Sequence, residues 1–218
     1  METRTATQKK ILKQYMEYTL DNNEAPKSIY LFCKSLQIEE KEFYEHYSSM
    51  EQISKDVYAT FCDETVALIS KDESYQSLDA KNKLLVFYFT FFEMLTANRS
   101  YVLLTLEHNK NILERIQLLQ ALKTGFKNFI QTLEINHIDF KKDSINKLSK
   151  KSIDEISWSQ LLFILRFWIE DTSKGFEKTD ILIEKSIHAS FDLLDITPLK
   201  NLIDLGKFFF KEKIKPNL

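Results

Sequence analysis

Residues that break helices are scarce in this chain, with three glycines and three prolines among 218 residues. Apolar residues recur at helical spacing nearly throughout, and no stretch alternates convincingly as a strand, so an all-α fold is expected. Cysteine is equally sparse. Cys33 and Cys62 are the only two, and both sit among apolar helical positions, which argues against a disulfide framework or metal site and predicts two reduced, buried thiols. Neither sign of charge prevails: 30 Lys and Arg against 32 Asp and Glu give a formal net charge of -2. No global field therefore draws the chain to nucleic acid or an acidic membrane, and any such binding must come from a local patch.

Long hydrophobic runs are missing as well. The longest, Leu84 to Leu95, has ten apolar residues in twelve positions, short of the roughly 20 needed to cross a bilayer. Residues 1–20 carry Arg4, Lys9, Lys10, Lys13 and Glu17 around no unbroken apolar core, so no secretory signal is read and a cytoplasmic location is expected. Catalytic signatures are absent too. The four histidines (46, 108, 137, 188) are scattered, and no HExxH, CxxC, phosphate loop or nucleophile elbow occurs, so no enzyme, cofactor or metal site is expected.

What is present is a large apolar content, 44% of residues with seventeen Phe, ample for a core. Caps and periodicity predict helices near 5–22, 28–36, 39–47, 49–71, 79–96, 99–107, 109–135, 153–174, 178–195 and 198–214. Ile11, Leu12, Tyr15, Met16 and Thr19 form an inward stripe on the first. Ile29, Phe32, Cys33 and Leu36 share a face of the second, Gln37-Ile38 makes a tight turn, and Phe43 and Tyr47 point into the same small core. Ser48-Ser49-Met50-Glu51 matches a capping box that opens the long fourth helix. The basic, polar stretch His137 to Lys151 reads as a connection between helices.

A helix, then two short helices around a tight turn, then a capped long helix is the helix-turn-helix plan of repressor head domains. Ser28-Ile29, Lys34, Phe43-Tyr44, His46-Tyr47, Ser49, Glu51 and Ile53 resemble, in type and spacing, the N-terminal signature of the TetR family of transcriptional regulators. The resemblance covers roughly the first 55 residues. It implies a helix-turn-helix domain over residues 1–48 and a larger helical ligand-binding and dimerisation domain over 49–218, with helices 153–174 and 178–195 pairing across a homodimer. On this footing the residues expected at DNA are Arg4, Lys9, Lys27, Ser28, Lys41, Tyr44 and His46.

The reading helix departs from the family pattern. Gln37 stands where the family has a small residue, often Gly. Between Ile38 and Ile53 there are five glutamates (39, 40, 42, 45, 51) and one lysine (41), a segment charge of -4. A carboxylate about 5 Å from a phosphate costs on the order of 1 kcal/mol even at the dielectric of water, so this face disfavours DNA.

In the larger body, the helix at Leu84–Leu95 is apolar on all sides and should lie centrally, with Glu93 needing a partner. A pairing of Glu93 with Arg166 would line an apolar ligand pocket with Phe89, Phe92, Tyr101 and Phe126. At the C-terminus, Leu199, Leu202, Ile203, Leu205 and Phe208–Phe210, with Lys200, Lys207, Lys211, Lys213 and Lys215 around them, fit either a membrane-interface helix or one docked on its own domain. Two readings follow. One is a TetR-like regulator that binds operator DNA as a homodimer and responds to an apolar small molecule. The alternative is a TetR-fold lipid or isoprenoid binder that has lost DNA binding and uses its C-terminal amphipathic helix at the membrane, as the similar lipid-binding proteins of coenzyme Q biosynthesis do.

Overall fold

The computed structural model describes residues 4–108, 111–133, 135 and 143–194, with side chains over 4–106, 111–133, 135 and 153–192. Among them there is no strand. The helices are α1 (Ala6–Asn22), α2 (Ile29–Leu36), α3 (Glu40–Tyr44), α4 (Met50–Ile69), α5 (Glu73–Gln76), α6 (Ala80–Ala97), α7 (Arg99–His108), α8 (Ile112–Leu118), α9 (Gln120–Thr132), α10 (Asp143–Glu170) and α11 (Glu177–Leu194), with a 3-10 turn at Lys174–Phe176 before the last. None of the described helices is long and apolar enough to cross a membrane. The C-terminal helix expected at 198–214, with its lysine-flanked Phe cluster, lies outside the described residues.

Short-range chemistry sets the N-terminal boundaries. Thr5 Oγ1 accepts from Gln8 N at 3.2 Å while Gln8 Oε1 accepts from Thr5 N at 2.8 Å, so two exposed amides at the start of α1 are satisfied reciprocally. Asn23, left-handed at φ 53, ends it. At α4 the cap is Ser49, whose Oγ accepts from Gln52 N at 3.2 Å, and Gln52 Oε1 accepts from Ser48 N at 2.7 Å. The partner in this cap is thus Gln52 and not Glu51, whose carboxylate instead meets Lys55 at 2.7 Å.

Three helix boundaries differ from the sequence expectation. The single helix expected at 109–135 is two, α8 and α9, because Leu119 leaves helical geometry at φ -86, ψ 4. The stretch expected as a connection up to Lys151 is helical from Asp143 onward, so α10 begins a good ten residues early. A one-turn α5, opened by the Asp72 side chain accepting from Ser74 N at 2.8 Å, follows α4.

The head of the chain packs around aromatic rings. Phe32 meets Tyr15 and Phe43 edge-on at 6.3 and 6.5 Å, and Phe43 lies 6.2 Å from Tyr47. All four are buried, each contributing about 1.5–3 kcal/mol by leaving water. The turn between α2 and α3 is made by Gln37 at φ 57, ψ 42, with its N–H bonded to the Cys33 and Lys34 carbonyls. A side chain with a Cβ is strained in this region by about 1–2 kcal/mol. Gln37→Gly is therefore expected to stabilise the protein by about 0.5–1 kcal/mol, less than the full strain because glycine loses more freedom on folding. Thermal unfolding of the variant checks this; an unchanged or lower midpoint would show the turn to be unstrained.

Helix α4 carries the head into the larger body, packing against α1 on one side and α6, α8 and α9 on the others. Gly125 on α9 allows the close approach: a Cβ there would sit 3.4 Å from Cys62 Sγ. Both thiols are buried and free, and burial pushes that of Cys62 up to about 12. Helix α6 is central as expected, with Phe87 stacked on Phe129 at 4.3 Å and Phe91 at 5.6 Å. It packs on α4 and α11, while α10 packs on α9 and α11.

Candidate nucleic-acid interface and ligand cleft

The α2–α3 hairpin turns its apolar side inward and leaves the other side open. Ser28 caps α2, its Oγ accepting from Leu31 N at 3.3 Å, so its hydroxyl is aimed at the helix start. Tyr44 remains 53% exposed with its ring edge-on to Phe43 at 5.5 Å, and Lys41 is exposed beside it. His46 is partly buried on the turn that follows, and Lys9 is exposed on α1. Lys27 is exposed and paired with Glu24 at 2.8 Å. On α2, Tyr30 and Leu31 are also exposed, at 59% and 62%.

Arg4 lies elsewhere. Its guanidinium is held by two carboxylates of α4, Asp56 at 2.5 Å and Asp63 at 2.7 Å, and only 14% of its side chain is exposed. Tyr47 donates to the same Asp56 at 2.6 Å. Burial alone would lower the arginine's pKa, but the two aspartates more than reverse that, and burial with Asp56 raises the Tyr47 phenol. Arg4 therefore ties the start of α1 to α4 and is not a free phosphate ligand. Lys10 is also engaged, donating to the Leu36 carbonyl at 2.9 Å at the end of α2.

The residues expected at a ligand separate into three groups. Phe89, Phe92 and Glu93 line one cleft of about 520 Å³ on the far part of α6, together with Trp168, Phe176 and Asp180. Tyr101 and Phe126 are not among its walls; both are fully buried, Phe126 against Phe87 at 5.4 Å and Tyr101 against Tyr58 at 6.4 Å. The Glu93–Arg166 pair is not formed. Leu161, Ile164, Leu165 and Trp168 fix the buried face of α10, which turns Arg166 outward to Glu170 at 3.5 Å.

The cleft's far wall is built by the α10–α11 turn. Asp171 accepts from Ser173 N and Oγ at 2.8 and 2.7 Å and from Thr179 N and Oγ1 at 3.0 and 2.7 Å, fastening the first turn of α11. Burial would raise its pKa, but these four donors hold it down at about 2. Between them Gly175 and Phe176 both take left-handed geometry, φ 62 and 61, which is unusual for a bulky residue. Arg99 holds the Phe176 ring in place: its guanidinium sits 4.6 Å from that ring and 4.3 Å from the Trp168 ring, and donates to the Trp168 and Ile169 carbonyls at 3.1 and 3.0 Å. Asp180, on the same wall and exposed, resists ionisation first because its carboxylate is partly desolvated and second because of the charge of Glu93. Its placement opposite Glu93 depends on how α11 folds back on α6, for which the sequence carries no local signal.

Outside the cleft, α10 presents Ile156, Phe163 and Phe167 to solvent and α11 presents Ile181, with Ile156 and Phe163 more than half exposed at 64% and 58%. The three on α10 follow at i, i+7 and i+11, so they share one face. Residues 83–209, more than half of the 218, match a family model described as tetracyclin repressor-like, C-terminal domain. Comparison with curated proteins finds no match.

Proposed function

The chain belongs to the tetracyclin repressor-like family, and we propose that it is a homodimeric transcriptional regulator whose α1–α3 head meets operator DNA and whose body responds to an apolar small molecule. The observation that carries this is the hairpin: its core rings are buried while Lys41 and Tyr44 stay outside, the arrangement by which a second short helix enters a major groove. The apolar face of α10, with Ile181 of α11 beside it, supports pairing with a second copy, since a monomer rarely leaves such a patch in water. Tyr88 and Tyr101 support a ligand within the body, because their buried hydroxyls have no hydrogen-bond partner among the described residues.

Lys9, Lys34 and Lys41 supply the grip on phosphate, being exposed and without an ion pair among the described residues. Against them stand the glutamates of α3 and the engagement of Arg4. That opposition favours one other reading, a fold of this family that has left DNA and handles a lipid or isoprenoid. Fluorescence anisotropy against DNA from around the chain's own coding region, across a salt series with random DNA as control, separates the two. Selective binding that weakens steeply with salt is expected for a regulator. No binding even at low salt sinks that reading in favour of lipid handling.

A further inference from the structure

We propose that the cleft between α6, the 174–176 turn and α11 is a site for an organic cation, an amine or quaternary ammonium carrying an apolar body. This deepens the regulator reading by naming the ligand class and the site, and it rests on that reading only for its effect on DNA. The walls are aromatic, from Phe89, Phe92, Trp168 and Phe176, and the charged groups among the lining residues are the carboxylates of Glu93 and Asp180. Neither carboxylate makes an ion pair among the described residues. Elsewhere on the chain Glu155 draws in both Lys123 and Lys127. Two like charges facing one space repel each other, and a positive guest relieves that repulsion.

The aromatic floor is suited to the same guest. Ring faces attract cations through their quadrupole, and these rings already do so once, in the stacking of Arg99 on Trp168 and Phe176. Arg99 is not among the residues that line the cleft. A fatty acid or phosphate would meet two carboxylates and, among the lining residues, no cation. A neutral hydrocarbon would bury the aromatic walls but strip water from the acids without replacing it. A metal ion finds too few ligands: among the described residues no three His, Cys, Asp or Glu side chains gather to hold one. The volume of about 520 Å³ falls in the range of small-molecule sites.

The position also gives the guest leverage. It sits between α6 and the start of α11, and α6 packs directly on α4, the helix that Arg4 ties to the head. A molecule wedged there favours one spacing of α6 and α11 and so biases α4.

The test uses dodecyltrimethylammonium below its micelle concentration, with dodecanoate as the anionic counterpart of equal chain length. Isothermal titration and Trp fluorescence of the full chain read binding without reference to DNA. The cation is expected to bind once per chain and at least tenfold tighter than dodecanoate, and Glu93→Gln with Asp180→Asn is expected to weaken it at least tenfold while leaving dodecanoate unchanged or tighter. Both residues are exposed, so the double variant should unfold at the wild-type midpoint; Phe89→Ala, also at the surface, is the second variant and should weaken the cation more than dodecanoate. Equal affinity for cation and anion, or a cation affinity unmoved by both variants, overturns the proposal. Binding of the cation with no DNA binding at any salt would retain this site and remove the regulator, so the two failures are distinct.

Discussion

Asp171→Ala is expected to destabilise the protein by about 3 kcal/mol at neutral pH. The carboxylate takes four hydrogen bonds from Ser173 and Thr179 and is 6% exposed. Deleting it leaves the Thr179 amide and hydroxyl buried without an acceptor, at about 1–3 kcal/mol for such groups, and removes a negative charge from the start of α11, where the helix favours one. The pH dependence has a definite sign. A carboxylate held at about 2 against an ordinary 3.8 contributes about 2 kcal/mol at 1.36 per unit, fully present above about pH 4. That contribution is lost as pH falls towards 2, because over this range the unfolded chain takes up a proton that the native carboxylate still refuses. Urea unfolding of wild type and Asp171→Asn at pH 7 and pH 2.5 should therefore show a gap that narrows in acid. A gap that is the same at both, or under 1 kcal/mol at pH 7, would mean that the turn is held by packing of Trp168 and Phe176 alone.

Asp171 also marks where the sequence ceases to be legible. Helices whose ends are set by neighbours three or four residues away were readable: Ser28, Ser49 and the Gln37 turn place α2, α3 and α4 nearly as they stand. The break at Leu119 was not, because nothing in its vicinity lacks helical propensity and the kink follows from how α8 and α9 each fit against α4. Helix α10 starts at Asp143 in a lysine-rich segment with little apolar periodicity, so the usual signal for a packed helix is weak there. At the site level the divide is the same. Glu93 was recognisable as a lone charge on an apolar helix, yet its neighbour across the cleft is Asp180 and not Arg166. The phase of α10 could have shown this, since Ile164, Leu165 and Trp168 inward leave residue 166 outward. Arg4 looked like a phosphate ligand because its partners, Asp56 and Asp63, lie 52 and 59 residues along the chain.

Reversing three charges on the reading helix, Glu39→Lys, Glu40→Lys and Glu42→Lys together, is expected to raise affinity for random DNA at low salt by on the order of 100-fold. The segment from Ile38 to Ile53 would pass from a charge of -4 to +2, six units for three substitutions. At about 5 Å from a phosphate in water each sign change is worth about 1.5 kcal/mol, and screening on an exposed face reduces the sum to about 3 kcal/mol. The cost to folding should be small. Glu40 and Glu42 sit in the first turn of α3, where a negative charge helps by a few tenths of a kcal/mol each, and among the described residues Glu42 otherwise accepts only a long bond from Thr7 at 3.4 Å. The new lysines should also steepen the salt dependence by two to three counterions. Salt-series anisotropy with wild type and variant reads both quantities. If the variant gains neither affinity nor slope, α3 does not face DNA in any complex the protein forms, and its glutamates belong to a surface with a different partner. If it gains both while wild type selects a particular fragment, the glutamates lower general affinity without being the source of selectivity, since each phosphate contact withheld weakens random and specific sites alike and leaves their ratio to the base contacts.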